Sequence, residues 1–184
     1  MFLVADLFFL SLHFKGAPLM GILEKDGASK KIKLEVCPAC QSRGRAVKGI
    51  TVASLVCQEA WRGLPTIEGF YFCSSIDCAV VYFHLQMDML IGGQQMRVGV
   101  GQKERGLGRR VCYCFGYTAA DVTEQVFQTG ACDILDEIKE KCRQGLSRCE
   151  RENPQGFCCL GCVGGVVKDA MSRQGLEGKG GDDE

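Results

Sequence analysis

The chain has 184 residues, 13 of them cysteine, and its 22 lysines and arginines balance 22 aspartates and glutamates to a formal net charge of zero. Balanced charge excludes a global field that would gather nucleic acid or an acidic membrane surface, and the basic stretches Lys30–Lys33 and Arg105–Arg110 read as solvated loop. An odd number of thiols cannot all pair as disulfides, and such a number without an export signal points to reduced cysteines committed to metal in a cytoplasmic protein.

Residues 1–33 are an apolar start followed by a polar linker, GILEKDGASKKIK. The start, MFLVADLFFLSLHF, lacks a basic n-region, carries Asp6 and His13, and is too short for a bilayer, so no stable membrane insertion is expected. Met20 is an alternative initiator, which would leave the apolar start outside the native protein. Residues 34–105 carry short β-type runs at Phe70–Phe72, Ala79–Leu85 and Met96–Val100, with the turn-prone pair Gly92-Gly93 between the last two. Thr51 is expected to cap a short helix over VASLVCQEAW, with Leu55 and Val56 on its buried face. His84 is expected as a polar tip at a sheet edge.

Residues 106–173 change to a helical period. Thr118 can cap a helix in which Val122 and Val126 stand four apart, ending near Thr129-Gly130. Residues 132–144 form a second helix with Ile134, Leu135 and Ile138 inward, closed by Gly145. A third starts near Leu160, with Val163, Val166, Val167 and Ala170 on one side. Residues 174–184 have little to bury and are expected to be disordered. The fold class is therefore α+β: a zinc-ribbon-like β subdomain, then a mostly helical one. Glycines 99, 101, 106 and 108 read as turns, since they lack the strand-to-helix setting of a dinucleotide loop. With only His13 and His84 available, no hydrolytic constellation can be assembled, and at most a Cu(II)-reducing redox activity is expected.

Two cysteine sets carry the chemistry. Cys37-Pro38-Ala39-Cys40 is followed by Cys73 and Cys78, separated by four residues. Two short-range thiol pairs from separate turns suit tetrahedral zinc, and four thiolates leave no open position, so the zinc would be structural. Pro38 pre-sets the bend, and Gly44 is expected to take a positive φ that ends the knuckle. A redox C-x-x-C would need a thioredoxin-like βαβ setting, which the sequence does not provide. The second set is Cys112-x-Cys114, then Cys149 and the pair Cys158-Cys159 at the start of a helix, where free amides favour anionic sulfur. Gly116 and Gly161 are expected where backbone approaches a cluster closely. Four thiolates, two per iron, are what a [2Fe–2S] cluster requires.

The segments VCYCFGYT, TGACDILDEIKEKCRQG and CERENPQGFCCLG resemble the [2Fe–2S] domain of bacterioferritin-associated ferredoxins, in the variant found in the CopZ family of copper chaperones. CPAC, TVASLV, GFYFC, CAVVYFH and VGVGQKE resemble the zinc-binding part of the same family's amino-terminal domain, so the likeness runs over residues 35–170. The resemblance implies zinc on Cys37, Cys40, Cys73 and Cys78. It also implies a [2Fe–2S] cluster on Cys112, Cys114, Cys149 and either Cys158 or Cys159, with Cys159 favoured for its place nearer the helix start. By the same resemblance the protein would be an electron-transfer metallochaperone that reduces Cu(II) to Cu(I), with Cu(I) as a further ion and a copper-exporting ATPase or another redox protein as partner. A ferredoxin-like partner without a copper role and a zinc-ribbon adaptor are the alternatives. No M-x-C-x-x-C loop is present, so copper delivery by the family's usual route has no residue set here. Four further cysteines stand outside the implied sets: Cys57, Cys132, Cys142 and Cys162. Core packing suits Cys132 and Cys142, and Cys162 lies close enough to the cluster loop for a spare ligand or a soft copper site.

Overall fold

A computed structural model describes residues 35–175. The apolar start, the linker and the tail beyond Gly175 lie outside the described residues. The first half comprises β1 (Gly44–Ala46), α1 (Gly49–Leu55), α2 (Gln58–Trp61), β2 (Tyr71–Cys73), β3 (Val80–His84) and β4 (Met89–Gly92). After two 3-10 turns, Gly93–Gln95 and Gly101–Lys103, come α3 (Ala119–Thr129), α4 (Ile134–Arg143), α5 (Cys149–Glu152) and α6 (Leu160–Gln174).

The four strands form one antiparallel sheet in chain order, with Gly44 opposite Cys73, Tyr71 opposite Phe83, and Tyr82 opposite Ile91. Because strand side chains alternate, Phe72, Tyr82 and Ile91 point to one face, where they meet Val52, Leu55 and Val56 from the α1 region. Tyr71, Cys73 and Phe83 point to the other face, against Cys37 and Val80. Both faces of β3 are thus covered, and all five of its residues are buried. A register shift between Val80 and Tyr82 marks a bulge, and Val81 joins the α1 side together with Tyr82.

Several local expectations are corrected. Thr51 is not a helix cap. It lies inside α1, fully buried, and its hydroxyl donates to the Glu150 carbonyl at 2.7 Å. The start of α1 is served instead by the Glu68 carboxylate, which accepts from the Gly49 amide at 3.0 Å. The helix stops at Leu55, so the expected single element over residues 51–61 is two short helices. Met96–Val100 is not a strand; only Met96 makes an isolated bridge, to Val56. His84 is no exposed edge tip. It is 5% exposed, and its Nδ1 accepts from the Gln86 and Met87 amides at 3.2 and 3.0 Å.

The helices follow their sequence signals closely. Thr118 and Asp121 form a capping box on α3, and Gly130 ends it in the left-handed region. Val122 of α3, Ile134 and Ile138 of α4, and Val163 and Val166 of α6 share one core with Val111, Cys112 and Cys159. Residues 35–175 belong to one compact unit. Polar contacts tie the sheet side to the segment before α6. The Tyr82 hydroxyl donates to the Pro154 carbonyl at 2.5 Å, the Gln102 amide donates to Asn153 Oδ1 at 3.1 Å, and the Arg45 guanidinium lies 3.5 Å over the Phe157 ring.

Candidate metal centre

The first cysteine set converges. The Sγ atoms of Cys37, Cys40, Cys73 and Cys78 all lie within 4.8 Å of one another. Cys37 and Cys78 are 3.9 Å apart, and Cys40 and Cys73 are 3.5 Å apart. A tetrahedral ion with sulfur at roughly 2.3 Å gives sulfur–sulfur edges of about 3.8 Å, so the cage has zinc dimensions. It is built by two turns. A small hairpin closes the first: the Cys37 amide donates to the Ser42 carbonyl, and the Gly44 amide to that of Glu35. Gln41, not Gly44, adopts the positive φ, at +60°. Gly44 is needed for a different reason, since a Cβ there would lie 2.3 Å from Phe83 Cζ. The second turn places Cys78 by donation of its amide to the Ser75 carbonyl. Lys103 Nζ donates to that same carbonyl at 2.6 Å, bringing a positive charge beside the cage.

The thiols differ in readiness. A hydrogen bond from the Ser42 side chain holds Cys40 down at about 6, whereas burial pushes Cys73 up to about 12 and raises Cys78. Such a cage binds metal by expelling protons from its buried sulfurs.

The second set is arranged differently. Cys114 and Cys149 are 3.5 Å apart, and Cys112 and Cys159 are buried in one core. Among the described residues no three of these sulfurs lie mutually within 4.8 Å, because the only such group is the first cage. The second set therefore has no single-ion cage of the first kind. The Cys112–Gly116 loop is closed where the Val111 and Cys112 amides both donate to the Tyr117 carbonyl, with Gly116 at φ +81°. Tyr113 anchors the loop from behind: its hydroxyl accepts from the Gly101 amide and donates to the Gly99 carbonyl. The Arg148 amide donates to Cys114 Sγ at 3.3 Å. The hydrogen bond with Cys159 draws Cys112 down to about 7, and that same bond together with burial drives Cys159 up. Cys149 is pushed up to about 12, first by burial and then by Cys114. Between the two adjacent cysteines, Cys159 is buried against Cys112 while Cys158 is exposed. A Cβ added at Gly161 would meet no protein atom within 4 Å.

Residues 34–97 match the zinc-binding domain family zf_CopZ. The copper chaperone CopZ of Archaeoglobus fulgidus is 37% identical over 147 residues, which span 74% of this chain and 67% of that protein. The chain belongs to the CopZ family. The X-ray structure of the A. fulgidus CopZ N-terminal domain aligns with a TM-score of 0.53 at 30% identity, covering 78% of this chain and 99% of that one. The zf_CopZ match contains all four cysteines of the first cage. Among the described residues no helix is long and apolar enough to cross a membrane. Spacing alone did not reveal two features of this CopZ-family site: the Lys103 contact and the Arg148 amide. Both depend on contacts between residues distant in sequence.

Proposed function

We propose that this CopZ-family chain is a cytoplasmic metallochaperone module that holds a structural zinc on Cys37, Cys40, Cys73 and Cys78. A [2Fe–2S] cluster would be held by Cys112, Cys114, Cys149 and Cys159. The observation that carries the reading is the contrast between the two sulfur sets: one closed four-sulfur cage, and one in which Cys114 and Cys149 pair at 3.5 Å while Cys112 and Cys159 share a buried core. When bound, a [2Fe–2S] cluster supplies one-electron redox chemistry, which suits the conversion of Cu(II) to Cu(I) for a copper-exporting ATPase or another redox partner.

The chain's own residues do the holding. Cys159 stands at the N-cap of α6, buried in the core that also contains Cys112. The Arg148 amide steadies the Cys114 sulfur and, as a donor to a ligand, would raise the reduction potential. Val111, Val122, Ile138 and Val163 exclude water on the inner side.

Protein purified without oxygen should contain about one zinc and two irons per chain and show [2Fe–2S] absorption. Cys114→Ala should lose that absorption and keep zinc, while Cys40→Ala should lose zinc first. Colourless zinc-only protein, or an unchanged spectrum in Cys114→Ala, would overturn the assignment.

A further inference from the structure

The second cysteine set comes to the surface along one edge. Cys149 is half-buried and Cys158 exposed, and both line a cleft of about 530 Å³ that also takes in Arg148, Arg151 and Phe157. A second cleft, of about 700 Å³, shares Phe157 and Cys158 with the first and adds Arg43, Arg45 and Phe72. Arg43 and Arg45 stand two apart along the edge of the sheet, so their side chains leave the same face. The Arg45 guanidinium lies 3.5 Å over the Phe157 ring, which fixes a charged group beside Cys158. All four arginines are exposed. Among the described residues Arg43, Arg45 and Arg151 make no ion pair, and Arg148 meets Glu152 only at 3.9 Å. The carboxylates of this rim are Glu35, Glu150 and Glu152, and Glu150 is paired with Lys48 at 2.5 Å. Five cations against three carboxylates leave the rim positive in a chain whose formal charge is zero.

We propose that the rim around Phe157 and Cys158 is the docking surface for an acidic one-electron carrier protein, the donor that reduces the group held by the second set. This rests on the cluster reading and adds to it the chemistry of the partner. An aromatic centre ringed by arginines has the composition of a protein interface, whereas carboxylates set among the arginines repel the continuous phosphates of a nucleic acid. Arg45 is already ordered on Phe157, so less side-chain freedom is lost when a carboxylate of the partner pairs with it. The position suits the role, because Cys149, 3.5 Å from Cys114, forms part of the wall of the first cleft, and a carrier seated there abuts the second set. In the transfer the carrier loses one electron and the iron–sulfur group gains it; no bond is made or broken and no proton moves.

The test uses the full chain purified without oxygen and reduced flavodoxin as the acidic one-electron donor, with bleaching of the visible absorption followed by stopped flow. The double variant Arg45→Glu/Arg151→Glu should slow the second-order rate by roughly 10-fold or more at low salt, with the difference shrinking at high salt. Arg45→Lys/Arg151→Lys, which keeps the charge, should retain most of the rate. Arg173→Glu, in the last turn of α6 and about 21 Å along the helix from Cys159, should react like the wild type. Reduced methyl viologen, a small cation, should reduce the Glu double variant at least as fast as the wild type. An unslowed double variant, an equal loss in Arg173→Glu, or slowing that methyl viologen shares would overturn the surface. A DNA duplex that binds the wild type tightly and is lost in the same double variant would likewise overturn it, as a nucleic-acid site. Should the protein carry zinc and no iron, the amide resonances of Arg45, Phe157 and Cys158 decide on addition of oxidised flavodoxin. Shifts in the wild type that the Glu double variant abolishes would uphold the docking and sink the cluster assignment alone, and their absence would sink both.

Discussion

Replacing Tyr82 by Phe isolates one hydrogen bond that spans the molecule. Tyr82 is fully buried in β3, edge-on to Phe72 at a centroid distance of 6.1 Å, and its hydroxyl donates to the Pro154 carbonyl at 2.5 Å. Phenylalanine keeps the ring and its packing but leaves that carbonyl without its donor. Removing one partner of a buried hydrogen bond costs about 1–3 kcal/mol, which corresponds to roughly 5- to 150-fold more frequent opening of the segment it holds. The segment is Asn153–Phe157, directly before Cys158 and Cys159. Native-state hydrogen exchange of the Gly156 amide, which donates to the Asn153 carbonyl at 2.8 Å, should accelerate within that range. Amides of α3, such as that of Gly130, should be little changed. Burial also raises the Tyr82 pKa above its ordinary value of 10. Its contribution to stability is therefore complete below pH 10 and is lost as pH rises beyond that, a loss the phenylalanine variant should not share. Unchanged exchange at Gly156, with the same alkaline transition in both proteins, would refute the idea that this hydroxyl ties the sheet to the loop before α6.

Gly101→Ala should be far more damaging than an ordinary loop substitution, because its Cβ would lie 2.0 Å from the Arg110 carbonyl oxygen, a backbone atom that cannot swing aside. The expected result is displacement of Arg110–Cys112 and a lower melting temperature by circular dichroism, with a substantial loss of soluble protein. Zinc binding to the metal-free protein should release protons chiefly from Cys73 and Cys78, whose pKa values burial raises, while Cys40 at about 6 is already mostly ionised at pH 7.5. Calorimetry in buffers of different ionisation enthalpy measures that release, and apparent zinc affinity should weaken as pH falls.

Much of the helical half could be read directly because its signals are local. The Thr118-x-x-Asp121 box, the apolar spacing of Val122 and Val126, and the glycines at 130 and 145 each act within a few residues. The readings that failed concern residues whose role is set by a distant partner. Gly44 looked like a turn glycine, but its requirement comes from Phe83 across the sheet. Thr51 has the chemistry of a cap, yet its hydroxyl bonds to Glu150, 99 positions away. His84 turns back on its own following amides and so is buried rather than displayed at an edge. Met96–Val100 has strand composition but no neighbouring strand to pair with beyond the Val56–Met96 bridge. The cysteine spacing was informative because short ligand spacers are themselves local. How the second set is arranged was not, since Cys112 and Cys159 share a core, and Cys114 meets Cys149, only once the helical half has folded.

The same connectivity gives the first cage a role beyond its own turns. Cys73 ends β2, and Cys78 stands two residues before β3. An ion that binds both therefore fixes how β2 enters β3, and with it the position of Tyr82 in the middle of β3. Tyr82 holds Pro154, Thr51 from the neighbouring helix holds Glu150, and Glu150 and Pro154 both lie in the chain between Cys149 and Cys159. Metal in the first cage thus stabilises the segment that carries two cysteines of the second set, through backbone carbonyls rather than through any shared ligand. The coupling should be one of stability and not of electronics: removing zinc should loosen the second set without changing which sulfurs pair within it.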